Sequence, residues 1–263
     1  MELELKKECL DTYELGEPQT LTQEETAETI VPDYCPDIAR IISAEGVVCL
    51  HGGTEQDGVT GTVRVTVLYT PENESGVRAL EFAMPFSAQG EGLAGCAHVV
   101  VETEIELLES RMLNPRKIFT RCKLVTHLAG CRKVCLTISS DAETDPALLV
   151  EKRCCGQTVS LLRQVAEKDL TFSLSLGREG AAELLHCRAN GIVTETKAIG
   201  NKLIFKGVFW VSALYRTIGG QLASASAELP FSQIMETDST EENTQVSMRL
   251  RITGTDIQID GSD

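Results

Sequence analysis

The sequence predicts an all-β protein made of two tandem antiparallel β-sandwich-like units, each with one short helix. The main observation is an internal echo, because residues 61–69 read GTVRVTVLY and residues 207–215 read GVFWVSALY. A second echo follows each segment at nearly the same distance, with MPFS at 84–87 and LPFS at 229–232. A repeat of this length is typical of tandem copies of one folding unit.

The echo sets the predicted boundaries of the two units. We assign unit one to residues 1–128, a linker to 129–151 and unit two to 152–263. Unit one contains a strand pattern at residues 118–127 that has no counterpart in unit two. Unit two is therefore predicted to be truncated at its C-terminal strand, and an open sheet edge there would invite pairing with another chain.

One short helix is predicted in each unit, just before the glycine-led strand. Residues 37–42 (DIARII) align with residues 180–185 (GAAELL), and Pro36 would suit the first helical position. Each segment places three apolar residues at positions i, i+3 and i+4, which form one face of a helix: Ile38, Ile41 and Ile42 in the first, and Ala181, Leu184 and Leu185 in the second.

The remaining elements are predicted to be strands because apolar and polar residues alternate. Residues 99–107 alternate valine, isoleucine and leucine with glutamate, and residues 246–252 show the same alternation with serine and arginine. This period of two indicates strands with one buried face. Such faces need a second layer to cover them, so we expect a sandwich or a partly closed barrel.

Composition restricts the classes of function. The chain has 263 residues, of which 42% are hydrophobic, and this is enough for two cores of ordinary size. It contains no apolar run of the ~20 residues that span a bilayer and no signal peptide, so we expect a cytoplasmic protein. The formal charge of −15 argues against nucleic acid and anionic membranes as partners.

No catalytic site, metal or cofactor is predicted. The ten cysteines include no CxxC pair, so most are expected to be small buried residues and not zinc ligands. The four histidines show no pairing with a nucleophile, and no nucleotide-binding or hydrolase motif is present. An enzyme is therefore the least favoured class.

Two local strings are candidate contact sites. The string VPDYCPD at residues 31–37 has two prolines and two aspartates, which predict either a rigid entry into the helix or a binding site. The string NPRK at residues 114–117 predicts a turn whose cations are either solvated or face an acidic partner. The candidate partner-binding residues are Pro32, Asp33, Tyr34, Pro36, Asp37, Arg116 and Lys117.

Together, the segments 31–42, 61–69 and 114–117 resemble the SPOCS domain, which occurs in sporulating Firmicutes, often as repeats ahead of a LysM module. The resemblance is weaker in unit two, where residues 180–182 (GAA) replace the Pro-Asp-Ile string. It implies a non-enzymatic spore-coat scaffold that acts in the mother-cell cytoplasm and then in the coat. The implied partners are other spore-coat proteins, including a basement-layer ATPase.

Two alternatives stay open at this stage. A cell-wall glycan-binding module is disfavoured because aromatic residues make up only 5% of the chain and Trp210, its one tryptophan, lies in a strand predicted to be core. A self-associating filament or sheet subunit is suggested by the incomplete second unit and by the cysteine count.

Overall fold

The computed structural model describes residues 4–51, 58–143, 151, 161–162, 164–166, 168–172, 180–237, 244–252, 254–255 and 259. Within these residues the chain forms antiparallel strands in three sheets and no helix, which confirms the all-β class. The strands are β1 (Glu4–Leu15), β2 (Gln19–Ile30), β3 (Ile38–His51), β4 (Gly58–Pro71), β5 (Arg78–Gln89), β6 (His98–Asn114), β7 (Lys117–Glu143), β8 (Ala181–Ile199), β9 (Lys202–Thr217) and β10 (Leu222–Glu236).

The 27-residue strand β7 organises the first sheet. Strand β6 pairs with one side of it, and β2 and β1 pair with its first and second halves. The predicted strand at 118–127 lies within β7, but β7 then continues to Glu143. The segment predicted as a linker from residue 129 therefore begins as strand, because β1 supplies it with a hydrogen-bonded partner. The division into two units stays a prediction.

The other two sheets have the same topology and register. Strands β3, β4 and β5 form one three-stranded sheet, and β8, β9 and β10 form the other. Gly61 of β4 pairs with Phe86 of β5, as Gly207 of β9 pairs with Phe231 of β10. The two segments that resemble each other in sequence therefore occupy equivalent places in two similar sheets.

The two predicted helices are wrong, because both segments begin strands. Residues 38–42 open β3 and residues 181–185 open β8. The two irregularities in register of β3, between Ile38 and Arg40 and between Ile41 and Ser43, have counterparts at matching places in β8, at 181/183 and 184/186. An extra residue in a strand changes the spacing of inward side chains from two to three. That spacing mimics one face of a helix.

The sheet of β3, β4 and β5 packs face to face on the sheet built around β7. At the centre of this contact a Cβ on Gly46 of β3 would lie 2.8 Å from Cδ1 of Ile105 of β6, so the two strands approach closely. The resulting core draws its buried residues from both layers: Val31, Ile38, Val63, Val65, Val67, Tyr69, Leu80, Met84, Phe86, Ile118, Cys122 and Leu124.

Residues 246–252, predicted to be a strand, form no ladder with the described strands, although Arg249 makes an ion pair with Glu102 of β6. Their side chains still alternate between half-buried and exposed, and Leu250 lies against Gly191 of β8. In the first half of the chain the equivalent strand, β6, is completed by β7. No described strand pairs with 246–252 in this way, so its alternation is kept without a hydrogen-bond ladder to a described strand. Across all the residues that the structure describes, no helix has the length and apolarity needed to cross a bilayer.

Candidate functional site

The two candidate strings meet at one end of the sheet built around β7. Residues 31–37 connect β2 to β3, and residues 114–117 form the turn from β6 into β7. They meet because β2 and β6 flank β7, and the ends of both strands pair with Lys117. The backbone N–H of Val31 donates to the carbonyl of Arg116 at 2.9 Å, and the N–H of Ile38 donates to that of Pro115 at 2.9 Å.

Arg116 anchors the loop of residues 31–37, which we call the Arg116 loop. Its guanidinium donates to the carbonyl oxygens of Val31 at 2.9 Å and Cys35 at 2.8 Å. It also donates to the carboxylates of Asp33 and Asp37, both at 3.0 Å. Four charge-assisted hydrogen bonds from one planar group fix the loop at both ends and in the middle.

Further contacts within and beneath the loop hold its backbone. The N–H of Cys35 donates to the carbonyl of Pro32 at 2.9 Å and closes a turn. The Tyr69 hydroxyl of β4 donates to the carbonyl of Pro36 at 3.3 Å. Burial, together with the neighbouring Cys35 thiol, raises the pKa of Tyr69 to about 12, so the hydroxyl keeps its proton and remains a donor.

The side chain that the loop presents to solvent is Tyr34, which is 87% exposed. Its neighbour Asp33 is also exposed, and Ile30, where β2 enters the loop, is 71% exposed. Tyr34 makes no side-chain hydrogen bond with the part of the chain that the structure describes. The loop is therefore a fixed backbone carrying an exposed aromatic ring.

The structure assigns intramolecular partners to both predicted cations. Arg116 is held by two aspartates, and Lys117 forms an ion pair with Glu28 of β2. The aspartates of the string therefore position an arginine, whereas the sequence analysis offered a rigid entry into a helix as one interpretation of the string. An acidic partner at Arg116 and Lys117 stays a prediction, and it would have to compete with these carboxylates.

Sequence reasoning missed a surface around Trp210. This residue was predicted to be core, but its side chain is 40% exposed on the outer face of the sheet of β8, β9 and β10. Its indole Nε1 donates to Glu228 Oε1 at 3.0 Å, beside a depression of about 310 Å³. Strict alternation from Phe209, whose ring packs against Phe231 on the inner side, would have placed Trp210 outside.

The described cysteines are buried, half-buried or joined in a disulfide. Cys122 and Cys131 are buried, and a disulfide joins Cys9 of β1 to Cys135 of β7, whose Cα atoms are 5.5 Å apart. Burial, with a smaller effect of the Glu25 carboxylate, raises the pKa of Cys122 to about 11. Its thiol is thus a poor nucleophile at neutral pH. Within the described ranges no three side chains of His, Cys, Asp or Glu are grouped to hold a metal.

Comparison with known protein families gives a match in the second half of the chain. Residues 181–260 match the family model described as SipL, SPOCS domain, which confirms the resemblance to that family. The matched segment contains β8, β9 and β10, in the half of the chain where the resemblance was weaker. No curated protein and no solved structure matches the chain significantly. The family match indicates a sporulation-related role in protein interaction.

Proposed function

We propose that this chain is a non-enzymatic scaffold of spore-envelope assembly that docks onto other spore-coat proteins. The SPOCS match at residues 181–260 supports the link to sporulation. The action in the mother-cell cytoplasm and then in the coat, and a basement-layer ATPase as one partner, follow from the resemblance to that family.

The observation that carries the docking role is the exposed ring of Tyr34 on the Arg116 loop. Aromatic side chains dominate the binding energy of protein interfaces when they fill a pocket of the partner. A loop that is already fixed loses little conformational entropy when it binds. The Arg116 loop has the features of such an anchor, because Arg116 holds the loop backbone while the Tyr34 ring remains free to enter a partner's pocket.

The surroundings of Tyr34 suit a particular kind of partner surface. Ile30 extends the apolar contact along the end of β2, and the exposed Asp33 carboxylate adds negative charge at the rim. The whole chain carries a formal charge of −15. A coat protein with an apolar pocket and a basic rim would match both the apolar ring of Tyr34 and the negative charge around it.

The test is a pull-down from a lysate of sporulating cells with the purified full chain as bait. We expect the wild-type chain to retain at least one coat protein without any turnover of substrate. We expect Tyr34→Ala to lose that protein by tenfold or more, as the loss of an interface anchor would require. Ile218→Ala is the matched control, because Ile218 is 81% exposed on the turn between β9 and β10.

The possible outcomes test the scaffold function separately from the assignment of the docking surface to the Arg116 loop. If the wild-type bait retains no coat protein, the scaffold function is wrong. If wild-type and Tyr34→Ala baits retain the same coat proteins equally, the function stands but the Arg116 loop is not the docking surface. Equal losses for Tyr34→Ala and Ile218→Ala would indicate nonspecific adhesion of exposed apolar side chains.

A further inference from the structure

The outer face of the sheet of β8, β9 and β10 carries two rows of polar side chains around one tryptophan. Cα pairing places Asn190, Trp210 and Glu228 in one row across the three strands. The next row, two residues away along each strand, holds the following three residues: Arg188, Ser212 and Ser226. Alternation along a strand points both rows to the same side of the sheet.

The two rows differ in height, and this difference makes a depression. Ser212 and Ser226 are short, whereas the indole of Trp210 stands beside them, so a space of about 310 Å³ opens along the ring. This volume is at the lower end of the range for small-molecule sites. The hydrogen bond from Trp210 Nε1 to Glu228 at 3.0 Å fixes the plane of the indole. The site is thus preformed.

Of the two charged groups beside the depression, Arg188 is compensated by an ion pair, whereas Glu228 keeps its negative charge. Arg188 forms an ion pair with Glu45 of β3 at 2.5 Å, and Glu228 accepts the indole hydrogen bond. The uncharged groups, which are the Asn190 amide and the two serine hydroxyls, form no side-chain hydrogen bond with any residue that the structure describes. An amide and two hydroxyls offer both donors and acceptors. Such a lining suits an uncharged ligand rich in hydroxyl groups.

We propose that this depression binds a pyranose ring of a neutral glycan. The apolar C–H face of the sugar would lie on the indole of Trp210, and its hydroxyls would bond to Asn190, Ser212 and Ser226. A peptide anchor fits less well, because it needs an apolar pocket. Val211 and Ala227 also border the depression, but alternation along their strands turns their side chains towards the opposite face of the sheet.

The equivalent surface of the other sheet lacks these features. At the same offsets from the paired glycine and phenylalanine, β3, β4 and β5 carry Val47, Arg64 and Ala83 in one row. The neighbouring row carries Glu45, Thr66 and Glu81. Neither row has an aromatic ring. The depression is therefore particular to the second sheet, and it goes beyond the docking function proposed for the Arg116 loop.

Trp210 is the only tryptophan in the chain, so its fluorescence reports on this site alone. We would titrate the purified full chain with chitohexaose, a neutral oligomer of N-acetylglucosamine. We expect a saturable blue shift with a Kd of about 1 mM, the affinity of one ring with an ordinary ligand efficiency. Ser212→Phe fills the depression and keeps the reporter, so it should weaken binding at least tenfold.

The matched control is Thr66→Phe, which makes a similar change at the equivalent position of the first sheet and should leave the titration unchanged. Circular dichroism and thermal melting establish that each variant is folded. No spectral shift up to about 10 mM chitohexaose or cellohexaose in the folded wild-type chain would overturn the proposal. A shift with a proline-rich peptide but with neither sugar would identify a peptide site and overturn it as well.

The proposals for the glycan site and for the docking loop can be tested independently of each other. Tyr34→Ala should keep the chitohexaose titration while losing coat proteins, and Ser212→Phe should do the reverse. Loss of glycan binding in Tyr34→Ala would contradict the assignment of the two surfaces to separate functions.

Discussion

At the scale of single residues, Arg116 shows how an acidic protein uses one of its 24 lysine and arginine side chains. Its guanidinium reaches two carbonyls and two carboxylates of the Arg116 loop at 2.8–3.0 Å. A lysine could place a positive charge there but could not present five donors in a rigid plane. The loop therefore depends on the geometry of an arginine as well as on its charge.

We predict that Arg116→Lys destabilises the chain by about 1 to 3 kcal/mol, because several charge-assisted bonds are lost and the carbonyls of Val31 and Cys35 lose their donor. Urea unfolding measures the loss, and hydrogen exchange should rise at residues 31–38. Arg64→Lys is the matched control, since Arg64 is exposed on β4. Equal stability of the two variants would show that Arg116 does not organise the loop.

There is also a physical reason why both segments of the internal echo begin with glycine. The ring of Phe86 lies over Gly61, where an added Cβ would be 2.5 Å from its Cζ atom. The ring of Phe231 lies over Gly207 in the same way, and there the Cβ would also be 2.1 Å from the carbonyl oxygen of Ile192. Only glycine lets the phenyl ring cross the neighbouring strand at this distance.

We predict that Gly61→Ala and Gly207→Ala each cost about 1 to 3 kcal/mol, as overpacking does. Gly207→Ala should cost more, because its closest atom belongs to the backbone and cannot rotate away. Thermal melting of the two variants measures the order. Gly219→Ala, in an open turn, is the control and should stay within about 0.5 kcal/mol of the wild type.

At the scale of elements, the echo predicted pairing better than it predicted secondary structure. Aligning residues 37–42 with 180–185 places Ile41 on Leu184, and the structure pairs these with Tyr69 and Tyr215, the tyrosines that end the two echoed segments. The alignment was correct, although the helix was wrong. A hydrophobic pattern does not distinguish such a bulge from a helix, since the extra residue gives inward side chains the spacing of a helix face.

We predict that substitutions at Ile38 and Ile42 distinguish the bulged strand from a helix. In a helix both residues would share one buried face, whereas in β3 Ile38 is fully buried and Ile42 is 50% exposed. Ile38→Ala should therefore cost about 2 to 5 kcal/mol, as core truncations do. Ile42→Ala should cost less than about 1 kcal/mol. Urea unfolding of both variants is the measurement, and similar losses would contradict the strand.

The candidate site was only partly predictable for a related reason. The strings at 31–37 and 114–117 were unusual enough to be singled out separately, but their contacts join residues 79–85 positions apart in the chain. No local pattern encodes such a separation, because it depends on β2 and β6 flanking β7. The exposure of Trp210 could have been predicted, because it follows from the alternation of a single strand.

At the scale of the whole molecule, the two three-stranded sheets contact each other through equivalent positions of opposite charge. Glu45 of β3 pairs with Thr66, and Arg188 of β8 pairs with Ser212 at the same place in its sheet. The Glu45 carboxylate accepts from Arg188 at 2.5 Å and lies 3.1 Å from His186 Nε2. An unlike pair at matching positions gives the contact an orientation, which a like pair would oppose.

The pKa of Glu45 makes this contact sensitive to acid. Burial by itself would raise that pKa, but the hydrogen bond from Arg188 and the charges of His186 and Arg188 outweigh it and lower the pKa below its ordinary value of 4.5. A carboxyl group whose pKa is lowered on folding contributes stability that is fully present above its unfolded pKa. That stability is lost as the pH falls through the folded pKa.

We predict that wild type melts at a higher temperature than Glu45→Gln at pH 5.5, and that this difference shrinks as the pH is lowered towards 3, because the protonated fraction of the carboxyl rises. Thermal melting of both proteins across this range is the measurement. Glu104→Gln removes an exposed carboxylate of β6 and should show no such trend. A difference between wild type and Glu45→Gln that stays constant down to pH 3 would mean that the charge of Glu45 does not hold the two sheets together.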